Sequence, residues 1–208
     1  RRVPLRSHPD LALLTGPASA RDAAFEAWLD QKDVDDGCHQ MATTLHDARV
    51  FDRDDVWRKV RRAIDQGRPR TARQAAGILG EAQAQAVAEI ASQPARWLNH
   101  KADTNTRQAS ELTAIALARL AASDPELAVM TLRTRWERSL APELLAWTWA
   151  QLGEKATHKV MPDAHDHVLA AFRAATTTTS QSSSSTPSSS GGLAALGDET
   201  LAAAVRAA

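Results

Sequence analysis

The fold is decided by residues 33–80, which run DVDDGCHQMATTLHDARVFDRDDVWRKVRRAIDQGRPRTARQAAGILG and predict three helices separated by two tight breaks. Apolar residues recur in the middle helix with the period of a single buried helix face, at Val56, Trp57, Val60, Ala63 and Ile64. Asp52 is suited to cap the start of this helix, and Gly67 followed by Pro69 is suited to end it. A helix with one apolar face must pack against neighbours, so more helices are expected on both sides.

The composition favours an all-α protein. Of the 208 residues, 43% are hydrophobic and 24% are charged, which is typical of a globular chain, while only 4% are aromatic. Alanine is abundant and suits closely packed helices, and few windows alternate with the period of a β-strand. Helices of moderate length separated by short breaks predict a superhelical α-solenoid of stacked helical hairpins. No regular tetratricopeptide repeat is found.

Three segments are expected along the chain. Residues 1–175 are predicted to form the α-superhelical domain. Residues 176–192, TTTTSQSSSSTPSSSGG, have no apolar side chain except Pro187 and are predicted to be a flexible linker. Residues 193–208 are predicted to begin a further helical hairpin that stops in mid-pattern.

Net charge, hydropathy and cysteine content exclude some functions. The formal net charge is zero, so no overall field draws the chain to nucleic acid or to a membrane surface. No window has the run of apolar residues that a membrane-spanning helix needs. The first residues, RRVPLRSHPD, do not resemble a signal peptide. Cys38 is the only cysteine, so no internal disulfide can form, and a buried structural thiol is expected rather than a nucleophile.

The basic segment from Arg53 to Arg73 is the first candidate site. Five of its cations are expected to lie off the apolar face: Lys59, Arg61, Arg62, Arg68 and Arg70. One interpretation is a solvated outer helix face. The other is a surface that contacts anions, either the carboxylates of glycan strands or phosphate.

The tryptophans give a second candidate. Most of the six are expected in the core. Trp147 and Trp149 are two residues apart and cannot share one helix face, so one of them should be more exposed or should pack on a second layer. Trp149 is therefore a candidate for contact with sugar. Gly153 is expected to end this helix.

No residue pattern predicts catalysis, a metal or a cofactor. Five potential ligands cluster near the end of the chain, but their spacing fits no familiar zinc pattern: His158, Asp163, His165, Asp166 and His167. No glycine-rich phosphate loop or nucleophile motif is present in the sequence. The site prediction therefore has no catalytic, cofactor-binding or metal-ligating residue.

Four segments resemble the superhelical, U-shaped domain of the soluble lytic murein transglycosylases. They are AWLDQKDVDDGC (27–38), DDVWRKVRRAIDQGRPRTARQAAGIL (54–79), TRQASELTAIALARLAASDPELA (106–128) and LAWTWAQLG (145–153). The resemblance runs from about residue 20 to residue 173, and the order and spacing of the segments carry it. The family often pairs a cysteine at the position of Cys38 with one in an upstream helix, and this chain has none there.

The resemblance implies a periplasmic protein that frames and holds peptidoglycan glycan strands. In this family a lysozyme-like catalytic domain cuts the strands, and none of that domain's motifs occurs in this sequence. The chain itself is therefore expected to be inactive, with glycan strands and that catalytic domain as partners and no nucleic acid. The alternative is a generic α-solenoid for protein–protein contact, and a third class is a helical repeat that binds nucleic acid through its arginines.

Overall fold

The computed structural model describes residues 17–159, 161 and 163–181, with side chains described between Ser19 and Thr176. This part of the chain contains ten α-helices, one short π-helical segment and no strand, so the all-α prediction is confirmed. The helices are α1 (Pro17–Asp30), α2 (Asp36–Asp47), α3 (Arg53–Asp65), α4 (Pro69–Gly77), α5 (Glu81–Ser92), α6 (Pro94–His100), α7 (Arg107–Ser123), α8 (Pro125–Thr131), α9 (Pro142–His158) and α10 (Ala164–Gln181), and the π-helical segment is Leu132–Trp136, directly after α8.

The chain divides into two compact units, residues 1–85 and 86–208, and the division falls inside α5. The first unit therefore contains α1 to α4, and the second contains α6 to α10. None of the described helices is long and apolar enough to cross a membrane.

In the first unit, α3 packs by the face that its sequence predicts. Val56, Trp57, Val60, Ala63 and Ile64 are all buried. Asp52 caps the helix and exchanges hydrogen bonds with Asp55, because each carboxylate accepts from the other residue's backbone N–H. Gly67 has a positive φ of 67°, which glycine adopts without strain, and Pro69 then begins α4.

An aromatic cluster lies beside α3. Phe25 and Trp28 project from α1, and both meet Phe51, which precedes the cap of α3. The rings of Trp28 and Phe51 are stacked with centroids 5.6 Å apart, and Phe25 meets Phe51 edge-on at 5.5 Å. All three side chains are buried, so this cluster attaches α1 to the start of α3.

In the second unit, α7 is the central helix. It buries residues on most of its circumference, as a helix surrounded by others should: Ser110, Glu111, Leu112, Thr113, Ala114, Ile115, Ala116, Leu117, Ala118, Leu120 and Ala121. Arg107 on this helix contacts the fully buried Glu111 at 3.1 Å and Glu143 of α9 at 3.2 Å. The guanidinium therefore neutralises a buried carboxylate and ties α7 to α9.

Gly153 does not end its helix, contrary to the sequence-based expectation. It lies inside α9, which continues to His158. A Cβ atom at this position would lie 3.0 Å from Cγ2 of Val168 and 3.3 Å from its backbone nitrogen. The missing side chain therefore allows α9 and α10 to approach closely, and this tertiary contact explains the glycine.

The last described helix extends into the segment that was assigned to the linker. Helix α10 reaches Gln181, so residues 176–181 are helical. The hydroxyl of Thr176 donates a hydrogen bond to the backbone carbonyl of Arg173, with 2.9 Å between the two oxygens. This local bond accommodates the threonine within the helix. The rest of the predicted linker, 182–192, and the predicted hairpin, 193–208, lie outside the described residues.

Candidate functional site

Lys59 holds the end of α1 and is not on an outer face. Its side chain is 2% exposed, and its ammonium donates hydrogen bonds to the carbonyls of Trp28, Leu29 and Gln31. These carbonyls belong to the last turn of α1 and the residue after it, where helices leave acceptors unsatisfied. Burial lowers the pKa of Lys59 from 10.5 to about 8. The expectation that Lys59 lies off the buried face is therefore wrong.

Residues at the start of α4 hold the connection that follows α1 at two more points. The hydroxyl of Thr71 donates to the carbonyl of Lys32 at 2.9 Å, and Arg68 contacts the carboxylate of Asp33 at 3.0 Å. Together with Lys59, these side chains hold residues 28–33 against α3 and α4. Several polar side chains of the basic segment therefore make hydrogen bonds or ion pairs within the first unit.

The remaining candidates of the basic segment differ in exposure. Arg61 is only 8% exposed, which also contradicts its predicted place on an outer face, and Arg62 is half-buried. Arg68 and Arg70 are exposed, and the neighbouring Arg73 is exposed as well. We call Arg70 and Arg73, which are three residues apart and therefore on one side of the helix, the α4 arginine face. Its side chains are open to a ligand, unlike those of Lys59 and Arg61.

Trp149 is buried, with 1% of its surface exposed, and Trp147 is buried too. Of the two arrangements that the sequence allows, packing on a second layer is therefore the one found. The ring of Trp149 stacks on the imidazole of His167 from α10, with centroids 5.5 Å apart. A buried indole cannot stack on a sugar at the surface, so the structure removes Trp149 from the candidate contact residues.

An opening in the second unit forms a groove that we call the α8 groove. It has a volume of about 330 Å³, within the range of ligand-binding clefts. Its walls come from α8, the π-helical segment, two residues that precede α10, and His167 in the first turn of α10. The lining residues are Glu126, Val129, Met130, Arg133, Thr134, Met161, Asp163 and His167.

Local sequence explains the α8 side of the groove. Asp124 accepts a hydrogen bond from the backbone of Leu127 at 2.9 Å and Pro125 begins the helix, so the start of α8 is fixed. The backbone N–H of Glu137 donates to the carbonyl of Leu132 at 2.8 Å, a five-residue spacing that defines the π-helical turn. Such turns often occur at functional sites, because they change the direction of side chains within a helix.

The inner wall of the groove is polar and restrained. His167 is 2% exposed, and its Nδ1 has no hydrogen-bond partner among the described residues. Burial lowers the pKa of His167, and the nearby Arg133 lowers it further, so the imidazole is neutral at pH 7. The guanidinium of Arg133 lies 5.4 Å from the ring centroid of Trp149, which is a cation–π distance.

This arrangement has the mixed apolar and polar lining that can bind a ligand. Its carboxylates, Glu126 and Asp163, are exposed. Near Cys38 the open volume is only about 10 Å³, and burial and Asp35 raise the pKa of its thiol. Within the described ranges, no three His, Cys, Asp or Glu side chains stand close enough to hold a metal ion.

Sequence reasoning missed the α8 groove, although part of its signal is visible. Glu126, Met130 and Arg133 recur at i, i+4 and i+7 and therefore share one helix face. The other wall depends on how α10 packs, which no local pattern shows. Comparison with known proteins finds no matching family model, no similar curated protein and no similar solved structure.

Proposed function

We propose that this chain is a non-catalytic helical module that holds peptidoglycan glycan strands, as the superhelical α-solenoid part of a periplasmic lytic murein transglycosylase. The proposal rests on the sequence resemblance of the four quoted segments, and the all-helical architecture is compatible with it. In this proposal a lysozyme-like catalytic domain is the partner that cuts the strands.

The observation that carries the binding role is the α4 arginine face. Arg70 and Arg73 lie three residues apart on the same side of a short helix, and both are exposed. Arg68, the exposed residue that precedes this helix, adds a third guanidinium nearby. The partner of Arg68 is Asp33, whose side chain is 78% exposed, so water screens this pair and it competes weakly with an incoming carboxylate. Guanidinium groups suit the carboxylates of peptidoglycan because they can bind them with two parallel hydrogen bonds.

Cosedimentation with purified sacculi tests this role. We expect the Arg70→Ala/Arg73→Ala variant to lose most of its salt-sensitive retention while its melting temperature stays within about 2 °C of the parent, because exposed arginines add little to stability. The matched control is Arg96→Ala/Arg138→Ala, which removes two exposed arginines from the second unit and the same charge.

Three results contradict the proposal. Retention that is equal in all three proteins would remove the arginine face from the binding site. Absence of retention, together with salt-sensitive binding to DNA or RNA that the arginine variant loses, would favour the nucleic-acid class. Release of anhydro-muropeptides by the chain alone would show that it is not merely a holding module.

A further inference from the structure

We propose that the α8 groove binds a peptide segment of a partner protein, by taking up one or two apolar side chains between a cationic and an anionic residue of that segment. This inference concerns the second unit and does not depend on glycan binding by the α4 arginine face. It assigns a surface and a partner chemistry that the proposed function does not include.

The apolar part of the groove is unusually open. Met130 is 55% exposed, more than any other large hydrophobic side chain among the described residues, and Met161 is half-buried. Val129 completes this apolar surface. Methionine thioethers are flexible and polarizable and are common in surfaces that accept peptide side chains. A volume of about 330 Å³ has room for one or two aliphatic side chains of a partner, but not for a folded element.

Two oppositely charged residues line the α8 side of the groove. Glu126 of α8 and Arg133 of the π-helical segment are seven residues apart, with Met130 between them in the sequence. With the rise of an α-helix this separation corresponds to about 10 Å along the axis. Asp163 adds a second carboxylate on the α10 side. A complementary segment therefore has a lysine or arginine towards Glu126, an apolar middle, and an aspartate or glutamate towards Arg133. An extended segment of about three to four residues spans this distance.

The inner wall favours a peptide over a simple aliphatic ligand. His167 lines the groove, is neutral, and has an Nδ1 atom without a partner among the described residues. In a neutral imidazole Nδ1 is either a donor or an acceptor, and a peptide backbone supplies the complement of each. Trp149 stacks on this imidazole and also restrains Arg133, so the polar groups are held in place before a ligand arrives.

Three blocked pentapeptides test the proposal, namely KLMLE, KLMLK and ELMLE, titrated into the full chain at low salt by calorimetry. We expect KLMLE to bind most tightly, with about a threefold loss of affinity for each charge that is reversed, which is typical of exposed ion pairs. Met130→Lys should abolish binding of KLMLE because it places a charge in the apolar middle. Leu169→Ser is the matched control, since Leu169 is an exposed apolar residue of α10 outside the groove.

A charge reversal makes the test specific. Arg133→Glu should reverse the order of the peptides, so that KLMLK binds better than KLMLE, provided that near-ultraviolet circular dichroism shows an unchanged environment for Trp149. Several outcomes overturn the proposal: no binding of any peptide at millimolar concentration, equal affinity for all three, or binding that survives Met130→Lys. A concentration-dependent dimer that Met130→Lys abolishes would assign the groove to a second copy of the chain and would overturn it as well.

Discussion

The role of Lys59 can be tested by replacing it with methionine. Lys59→Met keeps most of the apolar stem and removes only the ammonium that donates to Trp28, Leu29 and Gln31. If Lys59 belonged to a ligand-contacting face, the substitution would have little effect on folding. The structure instead predicts that the end of α1 loses its cap.

The expected change in the free energy of unfolding follows from two opposing effects. A hydrogen bond from a charged donor contributes about 1.5–3 kcal/mol, and an acceptor left unsatisfied costs about 1–3 kcal/mol. The three carbonyls share one ammonium, so these contributions do not add fully. Removing the buried cation also removes its desolvation cost, the same effect that lowers the pKa of Lys59 to about 8. We therefore expect a net loss of about 1–3 kcal/mol in the free energy of unfolding at pH 7.

Urea denaturation measures this loss, with hydrogen exchange of α1 locating it in the first unit. The control is Arg70→Met, an exposed cation whose replacement should change the free energy of unfolding by less than about 0.5 kcal/mol. If Lys59→Met also stayed within about 0.5 kcal/mol of the parent, the capping argument would be refuted.

The pH dependence of stability gives a second, independent readout. The folded-state pKa of Lys59, about 8, is lower than its ordinary value of 10.5, so the unfolded chain binds more protons between these values. The free energy of unfolding should therefore rise with pH across this window, and Lys59→Met should lack this rise. The raised pKa of Cys38 has the opposite effect above pH 9, so both proteins should carry Cys38→Ala. Asp30 and Arg62, the other charged groups near Lys59, are the same in both.

Three further predictions follow from the cores of the two units. Trp57→Ala should lower the free energy of unfolding by about 3–5 kcal/mol, as measured in urea, because it empties a fully buried site; a loss below 1 kcal/mol would contradict its central position. Gly153→Ala should lower the free energy of unfolding by about 1 kcal/mol despite the higher helix propensity of alanine, because the new methyl group meets Val168. Gly77→Ala is the control, because a Cβ atom there would lie 4.0 Å from that of Ala84, and it should be neutral or stabilising in the same assay. The pKa of His167 is lowered by burial, and Arg133, Asp163 and Asp166 also influence it. The unfolded chain therefore binds more protons below about pH 6.5, so the melting temperature should fall as the pH drops through this range. His167→Gln should show a smaller fall.

The helical class and the packing face of α3 could be predicted from the residues alone. Apolar periodicity identifies Val56, Trp57 and Val60 as buried, because a one-sided helix must cover that side. Capping chemistry likewise places the start of α3 at Asp52, since the side chain and the orphan backbone N–H groups lie within one turn of each other. These properties are local, so composition and spacing suffice to predict them.

Which polar and aromatic side chains are available for function depends on how the helices pack. Lys59 and Arg61 belong to a basic segment, yet both are buried. Lys59 is buried because the end of α1 needs donors that the helix itself cannot supply. The sequence suggests that Gly153 ends a helix, but the structure shows that this glycine makes room for Val168. The α8 groove requires residues of α8 and of the start of α10 to line one opening, and burial there lowers the pKa of His167. Such features depend on residues distant in the chain, and helical periodicity carries no information about which faces come together.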